Sequence, residues 1–557
     1  MDPINIKNMT KPSATSVSPL LPLRLIISVF ALLIISCQSE ETTQSVTEQQ
    51  QISAWPEHGI TYEIFVQSFY DSDGDSIGDI KGMTSKLDYL QDLGVEAVWL
   101  MPIMPSPSYH KYDVTDYKDI HPDYGTMEDF KTFVKEAHKH DIKVVIDLII
   151  NHTSSEHPWF KSAASDRDSE YRDYFVWADK DSIAEQLAKK EISFDSDNIR
   201  QWHAVDGDTL AEHYYGFFYG GMPDLNFDNL ELRAEIYDIG RYWLEEVGVD
   251  GFRLDAAKHI YPDDRAADNH AFWIEFRDKM KEVKPDVYLV GEVWSDTDTQ
   301  APYAEGFSAL FNFDLAFSIL ETLHKGEDVT AVIAGHGWKL QEDKSLVDGY
   351  INSKREFVKY NPDFAIATFL SNHDQNRVMS VLDNDPEKAK MAASILLTLP
   401  GAPYLYYGEE IGMRGMKPDE HIREPFVWAP ATQDTGRSKW ITPKFTTDAS
   451  VTPLSEQMED PTSIYNHYKT MIALRKGSEI LTYGDIEVVE NPNKGLVIFE
   501  RHYEGKKLLV IHNVSGEAQT VEEEMLNGFS EVYFSSFDLE SVDRRVEMPG
   551  YGTVVLR

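Results

Sequence analysis

Lys143-Val-Val-Ile-Asp-Leu-Ile-Ile-Asn-His152 is the stretch on which the fold turns. Its first part, Lys143 to Ile149, is short, apolar and β-branched, with little polar alternation, which suits a strand buried on both faces of a parallel sheet. The chain then breaks into polar Asn151 and His152, where the C-terminal end of that strand must lie. Seven more runs of this kind surround it: Tyr62 to Gln67, Glu96 to Met101, Gly251 to Leu254, Val287 to Val290, Ala309 to Phe313, Phe364 to Phe369 and Pro403 to Tyr407. Helical patterns separate them. Between the second and third, Thr126 with Asp129 forms a capping-box signature, and Phe130, Phe133, Val134 and Ala137 fall at i, i+3, i+4 and i+7. Eight alternating βα units predict an α/β protein closed into a (β/α)8 barrel.

Outward from this frame the rhythm changes three times. From His152 to about Gly221, Asp, Ser and aromatic residues replace it, so 152–221 reads as a domain inserted after strand three. The barrel then takes 55–151 and 222–482. Beyond about Tyr483 alternating strands such as Leu496 to Phe499, Lys507 to Ile511 and Thr553 to Leu556 predict an antiparallel β-domain over 483–557. At the other end, Lys7, Lys11 and Arg24 precede the apolar run Leu25 to Ile35, which has signal-peptide length. It ends in Ile34-Ile-Ser-Cys37, similar to a bacterial lipoprotein cleavage box. Residues 1–37 therefore read as a lipoprotein signal peptide with Cys37, the only cysteine, as the lipidation site, and 38–54 as a flexible tether. The expectation is an exported protein, lipid-anchored to a bacterial membrane, the outer membrane first.

The 557 residues carry a formal net charge of -42, which repels phosphate backbones and anionic headgroups, so nucleic acid is excluded as a partner and a neutral substrate is favoured. In an α/β barrel the strand C-termini form the active face. His152, Arg253, Asp255, Glu292, His373 and Asp374 all fall there, contributed by four strands. Two carboxylates flanking a glycosidic bond, one attacking and one donating a proton, are the minimum for retaining hydrolysis, at a separation of about 5 to 5.5 Å. Asp255 and Glu292 suit those roles. Arg253 lies two residues before Asp255, so both side chains face one side of a strand. Glu292, beside Val290, Val293 and Trp294, is expected to be desolvated, which raises a carboxyl pKa. Asp374 is the third carboxylate, placed to grip sugar hydroxyls as the ring flattens.

These segments resemble the ordered motifs of the α-amylase family, glycoside hydrolase family thirteen. The matching pieces are Asp147-Leu-Ile-Ile-Asn-His152, Gly251-Phe-Arg-Leu-Asp-Ala-Ala-Lys-His259, Gly291-Glu-Val-Trp294 and Phe369-Leu-Ser-Asn-His-Asp374, with Met222-Pro-Asp-Leu-Asn226 before the second. Tyr404-Leu-Tyr-Tyr-Gly-Glu-Glu410 and Arg423-Glu-Pro-Phe-Val-Trp428 extend the likeness over about Trp55 to Arg557. The resemblance implies nucleophile Asp255, acid/base Glu292 and stabiliser Asp374, with His152, Arg253 and His373 on the reacting sugar. It also implies that Tyr112 stacks on that sugar and that Lys258 and His259 hold the leaving-side glucose. Ala256 fits α-1,4 preference, because relatives that prefer α-1,6 links often carry valine there.

Asp71-Ser-Asp-Gly-Asp-Ser-Ile-Gly-Asp79 places four carboxylates in nine residues. Mutual repulsion favours a cation, and oxygen-only ligands point to Ca2+, held by Asp71, Asp73, Asp75, Asp79 and the Ile77 carbonyl. The resemblance likewise implies a calcium loop after strand one. The leading expectation is endo-hydrolysis of α-1,4 links in starch, glycogen or maltooligosaccharides. The alternatives are an exo-acting α-glucosidase or neopullulanase-like enzyme, and a non-catalytic membrane-tethered binding protein. Retention of all three carboxylates argues against the last.

Overall fold

All eight apolar runs form strands: Thr61–Ile64, Ala97–Leu100, Lys143–Leu148, Gly251–Leu254, Tyr288–Gly291, Ala309–Phe311, Ala365–Thr368 and Ala402–Tyr406. They pair in parallel in chain order, and the first closes on the eighth to complete the barrel. The computed structural model describes residues 57–185, 201–205, 212–335, 337–526 and 528–557. The expected signal peptide, Cys37 and the tether lie outside these residues. Among the described residues no helix is long and apolar enough to cross a membrane.

The barrel interior is filled by side chains. Trp99, Phe311 and Tyr404 meet from the second, sixth and eighth strands, with ring centroids 5.3 Å (Trp99 to Phe311) and 4.9 Å (Phe311 to Tyr404) apart. A packed interior leaves the rim as the place for chemistry. Gly251 shows how tightly the strands are drawn: a Cβ there would lie 1.9 Å from the Tyr288 carbonyl oxygen, so a side chain is excluded.

Most strand bounds shift by one residue from the sequence reading, and two strands end earlier by two or three residues, for a common reason. The first strand stops at Ile64 and Val66–Phe69 is a helical turn; the sixth stops at Phe311 and Phe313 opens a helix. Both apolar runs continue because strand and helix are buried alike, so hydrophobicity alone cannot mark the change. At the sixth strand a cap does mark it: the Asn312 side chain accepts from Leu315 N at 2.8 Å. Helix Met127–Lys139 begins with the expected reciprocal capping box of Thr126 and Asp129, and it buries Phe130, Phe133, Val134 and Ala137.

Between the third and fourth strands lie helix Pro158–Ser165 and a small antiparallel sheet ordered Trp177–Ala178, His213–Tyr215, Trp202–Ala204. The segment Met222 to Asn226 fastens this excursion to the barrel, with Leu225 N donating to Asn151 O at 2.9 Å and Thr153 N to Pro223 O at 3.1 Å. A hairpin, Thr330–Ala334 with Gly337–Gln341, was not anticipated. It lies on helix Phe313–Lys325, where the Ser318 hydroxyl accepts from Ala331 N at 2.8 Å and donates to Ala331 O at 3.0 Å. The C-terminal part is a five-stranded antiparallel sheet ordered Asp485–Val488, Leu496–Tyr503, Lys506–Asn513, Thr553–Leu556, Val532–Ser535.

Candidate active site

At the C-terminal rim, Arg253 organises three carboxylates around one guanidinium. Its Nη1 lies 2.9 Å from Asp147 Oδ1 and 2.6 Å from Asp255 Oδ1, and its Nη2 lies 2.8 Å from Glu292 Oε2. The strand explains part of this: Arg253 and Asp255 are two residues apart, and Asp147 is Arg253's register partner on the third strand. Asp255 and Glu292 thus occupy adjacent nitrogens of one planar fork, which fixes their mutual position. The Ala256 backbone N–H adds a bond to Glu292 Oε2 at 3.3 Å. Ala256 itself turns the chain with φ +47°, in the left-handed region.

A second cluster faces the first. Buried His373 bonds to Glu63 Oε1 through Nδ1 and lies 2.9 Å from Asp374 Oδ2 through Nε2. The Tyr112 hydroxyl joins the two clusters, 2.6 Å from His373 Nε2 and 3.0 Å from Asp147 Oδ2. Arg423 holds Asp374 from the other side, its Nη2 2.8 Å from Oδ1, while its Nε donates to the His373 carbonyl at 2.9 Å.

Charge and burial separate the roles of the carboxylates. Burial pushes the Glu292 carboxyl up to about 8, against the pull of Arg253 and with the help of Asp255 and Asp374. Burial also raises Asp147, though Arg253 opposes it. Asp374 goes the other way: burial works against its charge, but His373 and Arg423 outweigh it and hold the carboxyl well below the usual range. For His373 burial disfavours the cation, yet Asp374 and Glu63 on either side lift it to about 10. At neutral pH the site therefore presents a protonated Glu292 and an ionised Asp374.

These groups open onto a cleft of about 700 Å³. Tyr112, His152, Asp255, Lys258, His259, Glu292 and Asp374 all line it, as the sequence reading expected. Arg253 and His373 are fully buried beneath it, where they hold the carboxylates. His259 is kept in place by a stack on Phe217, with centroids 4.0 Å apart. Arg423, a motif residue to which the sequence assigns no role, and Trp294, expected only as an apolar neighbour of Glu292, both line the cleft. Glu63 was not singled out; it sits inside a strand run, and only the closed barrel brings it to His373.

In the loop after strand one, ligand oxygens of Asp71, Asp73 and Asp79 lie within 4.8 Å of one another. The other two expected ligands are in the same loop: Asp75, whose Oδ1 accepts from Ile77 N at 2.8 Å, lies outside that close group, and the Ile77 carbonyl follows it two residues on. Oxygen-only donors closely grouped fit a hard cation.

A barrel whose rim holds one raised and one ion-paired carboxylate side by side, in a cleft with a third facing them, defines a glycoside hydrolase. Comparison with known proteins agrees. The model of the α-amylase catalytic domain matches residues 63–484, and that of the α-amylase SusG C-terminal domain matches 496–555. The chain belongs to the α-amylase family and is a hydrolase of that family. It is 44% identical to α-amylase 3 of Dictyoglomus thermophilum over 83% of this chain and 85% of that protein. It is 33% identical to a 4-α-glucanotransferase of Thermotoga maritima, over 82% and 96%. The solved α-amylase of H. orenii superposes with a TM-score of 0.79 at 42% identity, covering 90% of this chain and 99% of that one.

Proposed function

We propose that the protein hydrolyses α-1,4-glucosidic bonds within starch, glycogen or maltooligosaccharides, with retention of anomeric configuration. The observation that carries this is the shared guanidinium: Arg253 binds Asp255 and Glu292 on adjacent nitrogens, a placement that suits the short carboxylate gap of retaining enzymes. In the first step an Asp255 carboxylate oxygen attacks C1, the glycosidic C–O bond breaks, and Glu292 gives its proton to the departing oxygen. In the second, ionised Glu292 takes a proton from water, whose oxygen displaces Asp255 from C1. Asp374, kept anionic by His373 and Arg423, bonds the sugar hydroxyls as charge develops on the ring. Tyr112 offers the ring a flat face, His152 a hydrogen bond, and Lys258 with His259 the leaving-side contact.

Endo action is favoured by a cleft with room for several sugars and by the name of the 44% identical relative. The glucanotransferase relative marks the other outcome, in which a sugar hydroxyl replaces water in the second step. A maltoheptaose, panose and pullulan time course with anomers followed by NMR tests the reading. Mixed maltooligosaccharides released first as α-anomers are expected; glucose alone from the first time point rejects endo action, and initial β-anomers reject retention. Asp255→Asn should lower turnover by about 10³-fold or more.

The Asp71 to Asp79 loop would hold Ca2+ as a structural ion through Asp71, Asp73, Asp75, Asp79 and the Ile77 carbonyl, with the close grouping of Asp71, Asp73 and Asp79 in support. The N-terminal pattern supports export and lipid anchoring through Cys37. Cys37→Ala should release the enzyme from the membrane fraction, and persistent membrane association would refute the anchor.

A further inference from the structure

Trp338, on strand Gly337–Gln341 of the unanticipated hairpin, lines the same cleft as Asp255 and Glu292. It is 48% exposed, the only tryptophan among the exposed large hydrophobic side chains of the described residues. An indole left half in water has a face available. Its plane is fixed from behind by Phe317, with centroids 4.7 Å apart and an interplanar angle of 13°. Four residues earlier on the same helix, Phe313 backs Trp294 in the same way, at 4.6 Å and 21°. Positions i and i+4 share a helix face and lie about 6 Å apart along the axis. The two stacks therefore sit one turn apart on one helix, and both tryptophans line the cleft with Glu292, which precedes Trp294 by two residues.

Flat apolar faces spaced by about one hexose suit the C–H faces of successive sugars. Glu292 protonates the departing oxygen, and both tryptophans line one cleft with it and with Lys258 and His259, which are assigned to the leaving-group side. We propose that Trp338 is a stacking platform for a distal glucose on that side, beyond the sugar met by Lys258 and His259, and that it selects long over short leaving groups. This rests on the endo reading above. The competing role for the indole is to cover Ile333, its cross-strand partner, and Phe317.

The test compares Trp338→Ala and Trp338→Phe with wild type on maltoheptaose and on α-maltotriosyl fluoride, whose leaving group carries no sugar. Trp338→Ala should lower kcat/KM on maltoheptaose by about tenfold, chiefly through KM. It should leave the fluoride within about twofold, and Trp338→Phe should recover most of the loss. Equal losses on both substrates would show that the indole only supports the fold, and no loss on either would show that it touches no sugar; both overturn the proposal. Failure of the endo reading has a separate signature, in which the wild type releases fluoride but does not cut maltoheptaose internally.

Discussion

Glu292 has to be protonated to donate and ionised to accept, and its surroundings set where that exchange falls. With the carboxyl pushed up to about 8, kcat/KM should stay level through neutrality and fall about tenfold per pH unit above that value. A profile that instead fell from about pH 5 would mean that burial does not raise the acid's carboxyl. The same shift has a cost for the fold. Between the ordinary carboxyl value of 4.5 and about 8 the folded state holds a proton that the unfolded state has released, so this group removes stability as pH rises through that window. His373 acts in the same direction: raised from 6.5 to about 10, its contribution is complete below 6.5 and lost as pH climbs through 10. Glu292→Gln, which cannot ionise, should abolish hydrolysis yet melt about 1–3 °C higher than wild type at pH 8. A lower Tm at pH 8 would show that the ion pair to Arg253 outweighs the burial. Ala256, at φ +47°, gives a second test at this scale. A β-branched side chain is strained in the left-handed region, so Ala256→Val should cost about 1–2 kcal/mol in stability, read by denaturant melts, whatever it does to linkage preference. The sequence showed the residues that end strands, because polar groups after an apolar run stand out. It could not show that Arg253 clasps three carboxylates or that Glu63 bonds His373, since those contacts exist only once the barrel closes.

At the scale of elements, periodicity and caps made the eight strands and helix Met127–Lys139 legible. The hairpin Thr330–Ala334 with Gly337–Gln341 was hidden because each strand has five residues and sits between two longer helical patterns. The first, Thr-Ala-Val-Ile-Ala, does not alternate between apolar and polar positions, so no period-2 signal emerges across both strands of the pair. The acidic loop was legible as a charge cluster, but not the local turn bonds its carboxylates make to backbone N–H groups. That loop also ties two segments together: Asp71 N donates to Gly436 O at 2.8 Å, Lys439 N donates to Ser76 O at 2.8 Å, and Asp79 caps helix Ile80–Thr84. A cation on Asp71, Asp73 and Asp79 would lock the first strand's loop to the segment around residues 436–439. Chelation with EDTA should therefore lower Tm by several degrees, and Ca2+ should restore it better than Mg2+, which accepts flexible carboxylate cages less readily. An Asp73→Asn protein should respond weakly to both treatments, while an unaltered wild-type Tm after EDTA would remove the metal from the loop.

Over the whole molecule, 94 acidic against 52 basic residues leave a net charge of -42, and that imbalance works on stability and catalysis in different ways. Like charges spread over the surface repel one another across solvent, where ions screen them; the screening length falls from about 30 Å at 0.01 M to about 3 Å at 1 M salt. The compact state gains most from this screening, because unfolding moves the charges apart. Tm should accordingly rise by a few degrees between these limits in NaCl. The charges of the active site lie differently: Arg253, His373 and Asp147 are fully buried and in direct contact with their partners, where mobile ions do not reach. A neutral glucan also adds no charge to be steered. KM and kcat for maltoheptaose should then stay within about twofold over the same salt range. If KM rose steeply with salt, the substrate would have to be charged, and the identification of a neutral glucan would fail at its root. If Tm fell, surface ion pairs such as Arg265 with Asp228 would have to contribute more to the fold than the excess negative charge takes away.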